Sequence, residues 1–282
     1  MTLLEKEKQQ LNKASLKRII DIDFNRDAKI VAEGDSWFAY PLIRDVLDHL
    51  RKMGYGIKKC SKAGDTLENM VYGAKYKIDK KLHLVTNSGP ENLDKVKEAV
   101  QDYRPRFFLF SAGGNDIIGE ELIRYLNHIR HNQQLYREEE FNTMLERFMK
   151  PAITYYLEKI WEVDNSIDVL MDGYDYAKPN GKSYNLIGIK LSGPWILPGF
   201  GAKGITDRGV QETILKKMID RFNEMLIEID KEHPHFHHID LRGNFPNDKQ
   251  WHNEIHLKSA GFKTVAKQYH EKIKNLLGYN PI

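Results

Sequence analysis

The sequence predicts a doubly wound α/β domain, and three observations lead there. Short apolar runs alternate with segments of helical periodicity from about residue 28 to the end. The strongest run, RFFLFSA, is apolar almost throughout, as a strand of a parallel sheet covered on both faces requires. No Pro/Gly/Ser linker or charge block divides the chain, so its 282 residues are expected to form one domain, although single cores begin to split near about 250 residues.

The elements follow in order. The first strand is KIVAEG, Lys29 to Gly34, with a helix expected from about Pro41, where proline fits a first turn. A short second strand near Ile57 to Cys60 precedes a loop around Gly64. The third strand is Arg106 to Ala112, the fourth Asp168 to Met171 and the fifth Phe236 to Asp240. Between the last two, Val210, Ile214, Met218, Phe222, Met225 and Ile229 recur at helical spacing, with Thr206 or Asp207 as the cap. Phe262, Val265, Ala266, Tyr269, Ile273 and Leu276 repeat that pattern in a final helix. Residues 1–27 read as a helical extension. Residues 119–163, with a long amphipathic helix bent at Pro151, and 174–206, rich in Gly and Pro, exceed what the sheet needs and read as insertions.

Composition excludes several classes. Against 43 Lys+Arg stand 40 Asp+Glu, a net charge of +3, which lacks the basic excess of a nucleic-acid binder. The single Cys60 cannot form an internal disulfide and reads as a small buried apolar residue. No apolar run reaches the ~18 residues of a membrane span. The first twenty residues mix acids and bases throughout and lack an export signal's apolar stretch, so a cytoplasmic location is expected. No GxGxxG follows a strand and no Walker A sequence occurs, so neither dinucleotide nor nucleotide binding is expected. Nothing in the chain specifies an oligomeric state.

Sites in doubly wound sheets lie at the carboxyl ends of strands, and three short motifs fall there. GDSW, Gly34 to Trp37, follows the first strand; a serine on such a turn exposes its hydroxyl and aims its own N–H with the helix dipole, and otherwise Asp35 or Ser36 is a helix cap. SAGGND, Ser111 to Asp116, follows the third. Its paired glycines allow close backbone approach and Asn115 offers an amide donor, or Asn115 or Asp116 caps the next helix. WHNEIH, Trp251 to His256, precedes the last helix and brings a histidine together with Asn253 and Glu254.

Together with Gly64 after the second strand, these motifs resemble the SGNH (GDSL-type) hydrolases, whose four blocks contribute Ser, Gly, Asn and His. The resemblance implies a flavodoxin-like three-layer α/β/α sandwich on a five-stranded parallel sheet. It implies Ser36 as nucleophile, His256 as base, and an oxyanion hole from the N–H groups of Ser36 and Gly64 and the Asn115 amide. It implies no cofactor and no metal, and a small-molecule ester as partner: a short acyl ester, an O-acetyl sugar, a lysophospholipid or a thioester. The chain departs from the family at Asn253, three residues before His256, where Asp is usual. Three readings stand: Asn253 orients His256, or Glu254 or Asp248 supplies the carboxylate, or the chain is a weak or inactive relative. The intact set of Ser36, Gly64, Asn115 and His256 favours the first two. Rival functions are a non-catalytic glycan- or lipid-binding module and an acyltransferase using the same acyl-enzyme.

Other features read as structural. His235 and His237 in HPHFHH share one strand face but lack a further ligand at metal-binding spacing. The aromatic and methionine positions of Phe141 to Trp161 suit core packing better than an acyl-binding lid. Lys75 to Lys81 reads as a solvated face.

Overall fold

The computed structural model describes residues 29–278 except 42, 74–75, 88, 132 and 187–188. The expected extension at 1–27 lies outside the described residues. The chain begins with β1 (Ile30–Gly34), α1 (Val46–Lys52), β2 (Ile57–Lys59) and α2 (Leu67–Tyr72). A hairpin of β3 (Tyr76–Asp79) and β4 (Leu84–Asn87) leads to α3 (Glu91–Tyr103), β5 (Phe107–Ser111) and the single turn α4 (Gly114–Ile117). Next come α5 (Glu138–Met144), α6 (Lys150–Trp161), β6 (Asp168–Asp172), and a second hairpin of β7 (Tyr184–Leu186) and β8 (Ile189–Ser192). The chain continues through α7 (Leu197–Ala202), α8 (Arg208–Glu232), β9 (Phe236–Ile239) and α9 (Ser259–Leu276).

All five expected strands form, and they make one parallel sheet in the order β2-β1-β5-β6-β9. Helices cover both faces: α1 packs with α9 on one, and α2, α3 and α6 pack together on the other, with α8 beside α6. Every residue of β1, β5 and β6 is buried, which explains their largely apolar character, with Glu33, Ser111, Asp168 and Asp172 as the buried polar exceptions. The order reverses between β1 and β5, the place where a doubly wound sheet opens a crevice. Gly34 pairs with Ser111 at the carboxyl ends of these two strands. The GDSW and GGND turns therefore leave the sheet side by side.

Two boundaries differ from expectation. The helix after β1 starts at Val46 instead of Pro41, because Asp45 forms a reciprocal capping box with Asp48 and sets the start there. The long helix of residues 138–161 is interrupted before Pro151 by a π turn, Leu145–Met149. Proline has no N–H to give to the preceding turn, and the wider turn accommodates that loss. The second half of this segment, α6, is the crossover helix between β5 and β6; Tyr156 stacks on Phe110 with ring centroids 4.6 Å apart. Phe141, Leu145, Met149 and Tyr156 are all core residues. Nothing in the sequence reading anticipated the β3–β4 hairpin, which presents Ile78, Leu82, Leu84 and Val85 to solvent.

Candidate active site

Ser36 stands two residues beyond β1 on a turn closed by the Phe38 N–H donating to Asp35 O. Asp35 Oδ1 accepts from the Trp37 N–H at 2.9 Å and from the Ser111 hydroxyl at 3.3 Å, so its carboxylate braces the turn from below. The Trp37 indole N–H reaches Ile255 O at 3.1 Å and ties this turn to the last loop of the chain. That loop is closed on itself by His252 N–H donating to His256 O at 2.8 Å.

His256 and Ser36 meet across 220 residues of sequence, Nε2 to Oγ at 2.6 Å. Asn253 Oδ1 lies 3.0 Å from His256 Nδ1 and also accepts from the backbone N–H groups of Ile255 at 3.1 Å and His256 at 2.9 Å. Two backbone donors aimed at one atom require that atom to be the amide oxygen. Nδ1 must then carry the imidazole proton, which leaves Nε2 free to accept from the Ser36 hydroxyl. The Asn253 amide is fully buried and its NH₂ donates to the Tyr40 hydroxyl at 3.0 Å. Tyr40 also lies against the imidazole, ring centroids 4.2 Å apart, and Trp195 meets it edge-on at 5.5 Å. Burial among these rings, helped by His252, pushes the His256 pKa down to about 3. The imidazole is neutral at any moderate pH.

The other two motifs converge on the same place. Asn115 donates through Nδ2 to Asp65 O at 2.8 Å, which holds the GGND turn against the loop carrying Gly64 and leaves its second amide hydrogen uncommitted. Asp116 strengthens that join by accepting from the N–H groups of Leu67 at 2.7 Å and Glu68 at 3.2 Å. It therefore caps α2 instead of the helix that follows it. Gly113 adopts φ +101°, a conformation that favours glycine, with the Met149 and Phe222 side chains close to where a Cβ would stand. Gly64 has φ +75° in an exposed turn. Among the described residues, the N–H groups of Ser36 and Gly64 have no acceptor.

No protein-family model matches the chain, and no curated protein matches its sequence. Solved structures do match. An extracellular lipase from Streptomyces rimosus superposes with a TM-score of 0.54 at 12% identity, over 86% of this chain and 99% of that one. Phospholipase A1 from Streptomyces albidoflavus NA297 gives 0.56 at 13% identity, over 87% and 99%. A lipase from a goat rumen metagenome gives 0.50 at 15%, over 86% and 96%. The chain has the SGNH hydrolase fold.

Within this SGNH fold the two alternative partners for His256 are directed elsewhere. Glu254 is fully buried, and its carboxylate accepts from four backbone N–H groups: Gly181 and Leu197 at 3.2 Å, Trp195 at 2.5 Å and Ile196 at 2.7 Å. It pins the 174–206 insertion to the His256 loop. Asp248 is at the surface, where it accepts from Arg208 at 2.7 Å. Only His237 of the expected strand pair lies in β9; His235 sits in the turn before it, and both contact Asp168, at 2.9 and 3.1 Å. Among the described residues no cluster of His, Cys, Asp and Glu suits a metal ion. Cys60 is half-buried, and burial pushes its thiol up to about 11.

Tyr40 and Tyr174 are the site residues that motif reading passed over. Tyr40 had one available signal, its place four residues after Ser36 in the loop that follows β1. Tyr174 follows β6 at the carboxyl end of the sheet with φ +61°, a strained value for a tyrosine. Its hydroxyl donates to Asp35 Oδ2 at 2.6 Å and accepts from the Gly114 N–H at 3.3 Å, joining the Ser36 turn to the Asn115 turn.

Proposed function

We propose that this chain is a serine esterase that cleaves carboxylic esters through an acyl-enzyme on Ser36. The observation that carries the reading is the continuous chain Ser36 Oγ to His256 Nε2 to Asn253 Oδ1, at 2.6 and 3.0 Å. Ser36 Oγ attacks the ester carbonyl while its proton passes to Nε2. The oxyanion is met by the N–H groups of Ser36 and Gly64 and the second hydrogen of Asn115 Nδ2. The C–O bond to the alcohol breaks as His256 returns the proton to that oxygen. A water then repeats the sequence on the acyl-enzyme, giving its proton to Nε2 and releasing the acid with Ser36 restored.

Asn253 supplies orientation and tautomer without charge. Its amide oxygen accepts the Nδ1–H, as Asn does in Cys-His-Asn proteases. The developing imidazolium is left without a counter-charge, so turnover should be modest. The similar folds of lipases and a phospholipase A1 support ester hydrolysis as the reaction class.

Purified protein should hydrolyse p-nitrophenyl acetate, and a fluorophosphonate should label Ser36. Ser36→Ala should abolish both. No turnover and no labelling between pH 6 and 9 would overturn the proposal and favour a binding module instead.

A further inference from the structure

Beside Ser36 lies a cavity of about 60 Å³ whose wall is almost wholly apolar. Trp37 forms one side, and Leu215, Met218, Ile219 and Phe222 of α8 form the other. Ser36 and Asn115 also border it, whereas His256 and Asn253 do not. We infer that this cavity holds the acyl group of the substrate, and that the substrate is the ester of a short-chain acid with about two or three carbons beyond the carbonyl.

The inference rests on the acyl-enzyme reading and follows from the direction of proton transfer. The alcohol oxygen must receive its proton from His256 Nε2, so the leaving group departs on the side of Tyr40 and Trp195, which pack on that imidazole. The acyl chain then extends away from His256, past the Asn115 side, where the cavity lies. Two carboxylates reach its wall, and both are committed. Asp35 is held by Tyr174, Trp37 and Ser111, and Asp175 accepts from the N–H groups of Gly243 at 2.7 Å and Phe245 at 2.6 Å. The remaining wall offers hydrocarbon contact and nothing to solvate a hydroxyl or charge, so the tail is an alkyl chain. Size follows by proportion: an apolar cavity of about 150 Å³ takes benzene with its six carbons, so this one takes two or three. The α8 residues Leu215, Met218, Ile219 and Phe222, the last also stacked on Tyr174, set that length.

The test is a series of p-nitrophenyl esters from acetate to decanoate, with fluorophosphonate labelling run in parallel. For the wild type, kcat/KM should rise about threefold to fourfold per methylene up to butyrate and fall at least about tenfold by octanoate. Ile219 is only half-buried, so its substitution spares the core. Ile219→Ala should move the maximum to hexanoate or beyond, and Ile219→Phe should restrict the enzyme to acetate. A wild-type maximum at octanoate or decanoate, or a profile unmoved by both substitutions, would overturn the cavity assignment while Ser36 still labels. Absence of labelling would overturn the acyl-enzyme and the assignment together.

Discussion

Asn253→Asp should accelerate the enzyme and reveal a titration that the wild type hides. The substitution is close to isosteric in a site already built for an acceptor: Oδ1 keeps its three N–H donors, and the atom that now donates to Tyr40 becomes an acceptor for the Tyr40 hydroxyl, which can turn to donate. What changes is a unit negative charge beside the imidazole, with Nδ1 and Oδ1 3.0 Å apart. With charge centres about 4 Å apart and an effective dielectric near 20, the pair is worth about 4 kcal/mol. That equals about three pKa units, so His256 should rise from about 3 toward about 6. If about half the proton charge has reached the imidazole in the transition state, about 2 kcal/mol reaches the barrier, or roughly 30-fold in kcat. The assay is kcat/KM for p-nitrophenyl acetate from pH 4 to 8. Wild type should be flat across that range, since its base remains neutral, and the variant should be faster at pH 8 and bend downward near pH 6. Equal or lower turnover in a folded variant, with no bend above pH 4, would refute the idea that the missing charge limits this base.

Three further outcomes follow from particular contacts. Tyr174→Phe removes the hydroxyl between Asp35 and Gly114. It should cost about 1–3 kcal/mol of stability and lower kcat roughly 10-fold to 100-fold with KM within about twofold; a fall in melting temperature with unchanged kcat would make the contact merely structural. Glu254→Gln replaces one acceptor oxygen by a donor facing backbone N–H groups. Amides of residues 181–197 should exchange hydrogen faster and KM should rise, while kcat holds; a kcat loss as deep as that of Ser36→Ala would instead make Glu254 the residue that orients His256. Glu33, buried in β1, is pushed up to about 8 by burial, so the folded state keeps a proton that the unfolded chain releases near 4.5. Its contribution to stability therefore falls as pH rises through that window, by up to roughly 4–5 kcal/mol. Glu33→Gln should unfold at a higher denaturant concentration than wild type at pH 9 and show little difference at pH 4, and an equal shift at both would refute the buried-proton account.

The strands and the motif residues were legible because both are written locally. An unbroken run such as FFLFS announces a covered strand, and Ser36, Asn115 and His256 stand in short runs just past strand ends or before the last helix. The partner of His256 was legible only as a set of alternatives, since Asn253, Glu254 and Asp248 all lie within reach along the chain. Choosing among them takes contacts that sequence does not display: Glu254 engages an insertion about 60 residues away, and Asp248 a side chain 40 residues away. Tyr174 was hidden for the same reason, its hydroxyl meeting Asp35 from 139 residues downstream. The start of α1 was misplaced because a reciprocal Asp45–Asp48 cap outranks a proline four residues earlier.

Glu254 also bears on how this scaffold could be re-engineered. The insertion it holds presents a fan of consecutive amides, those of Trp195, Ile196 and Leu197, to one fixed anion adjoining the residue that steers the base. Those contacts are made by main chain, so the docking itself places little demand on side chains, although the Trp195 ring also packs on His256 and Ile196 is fully buried. A transplanted loop of unrelated sequence would dock in register provided its backbone turned three successive N–H groups inward at that point. The anion thus acts as a socket, and the rest of the insertion can be exchanged as a cassette provided Trp195 keeps its place against His256.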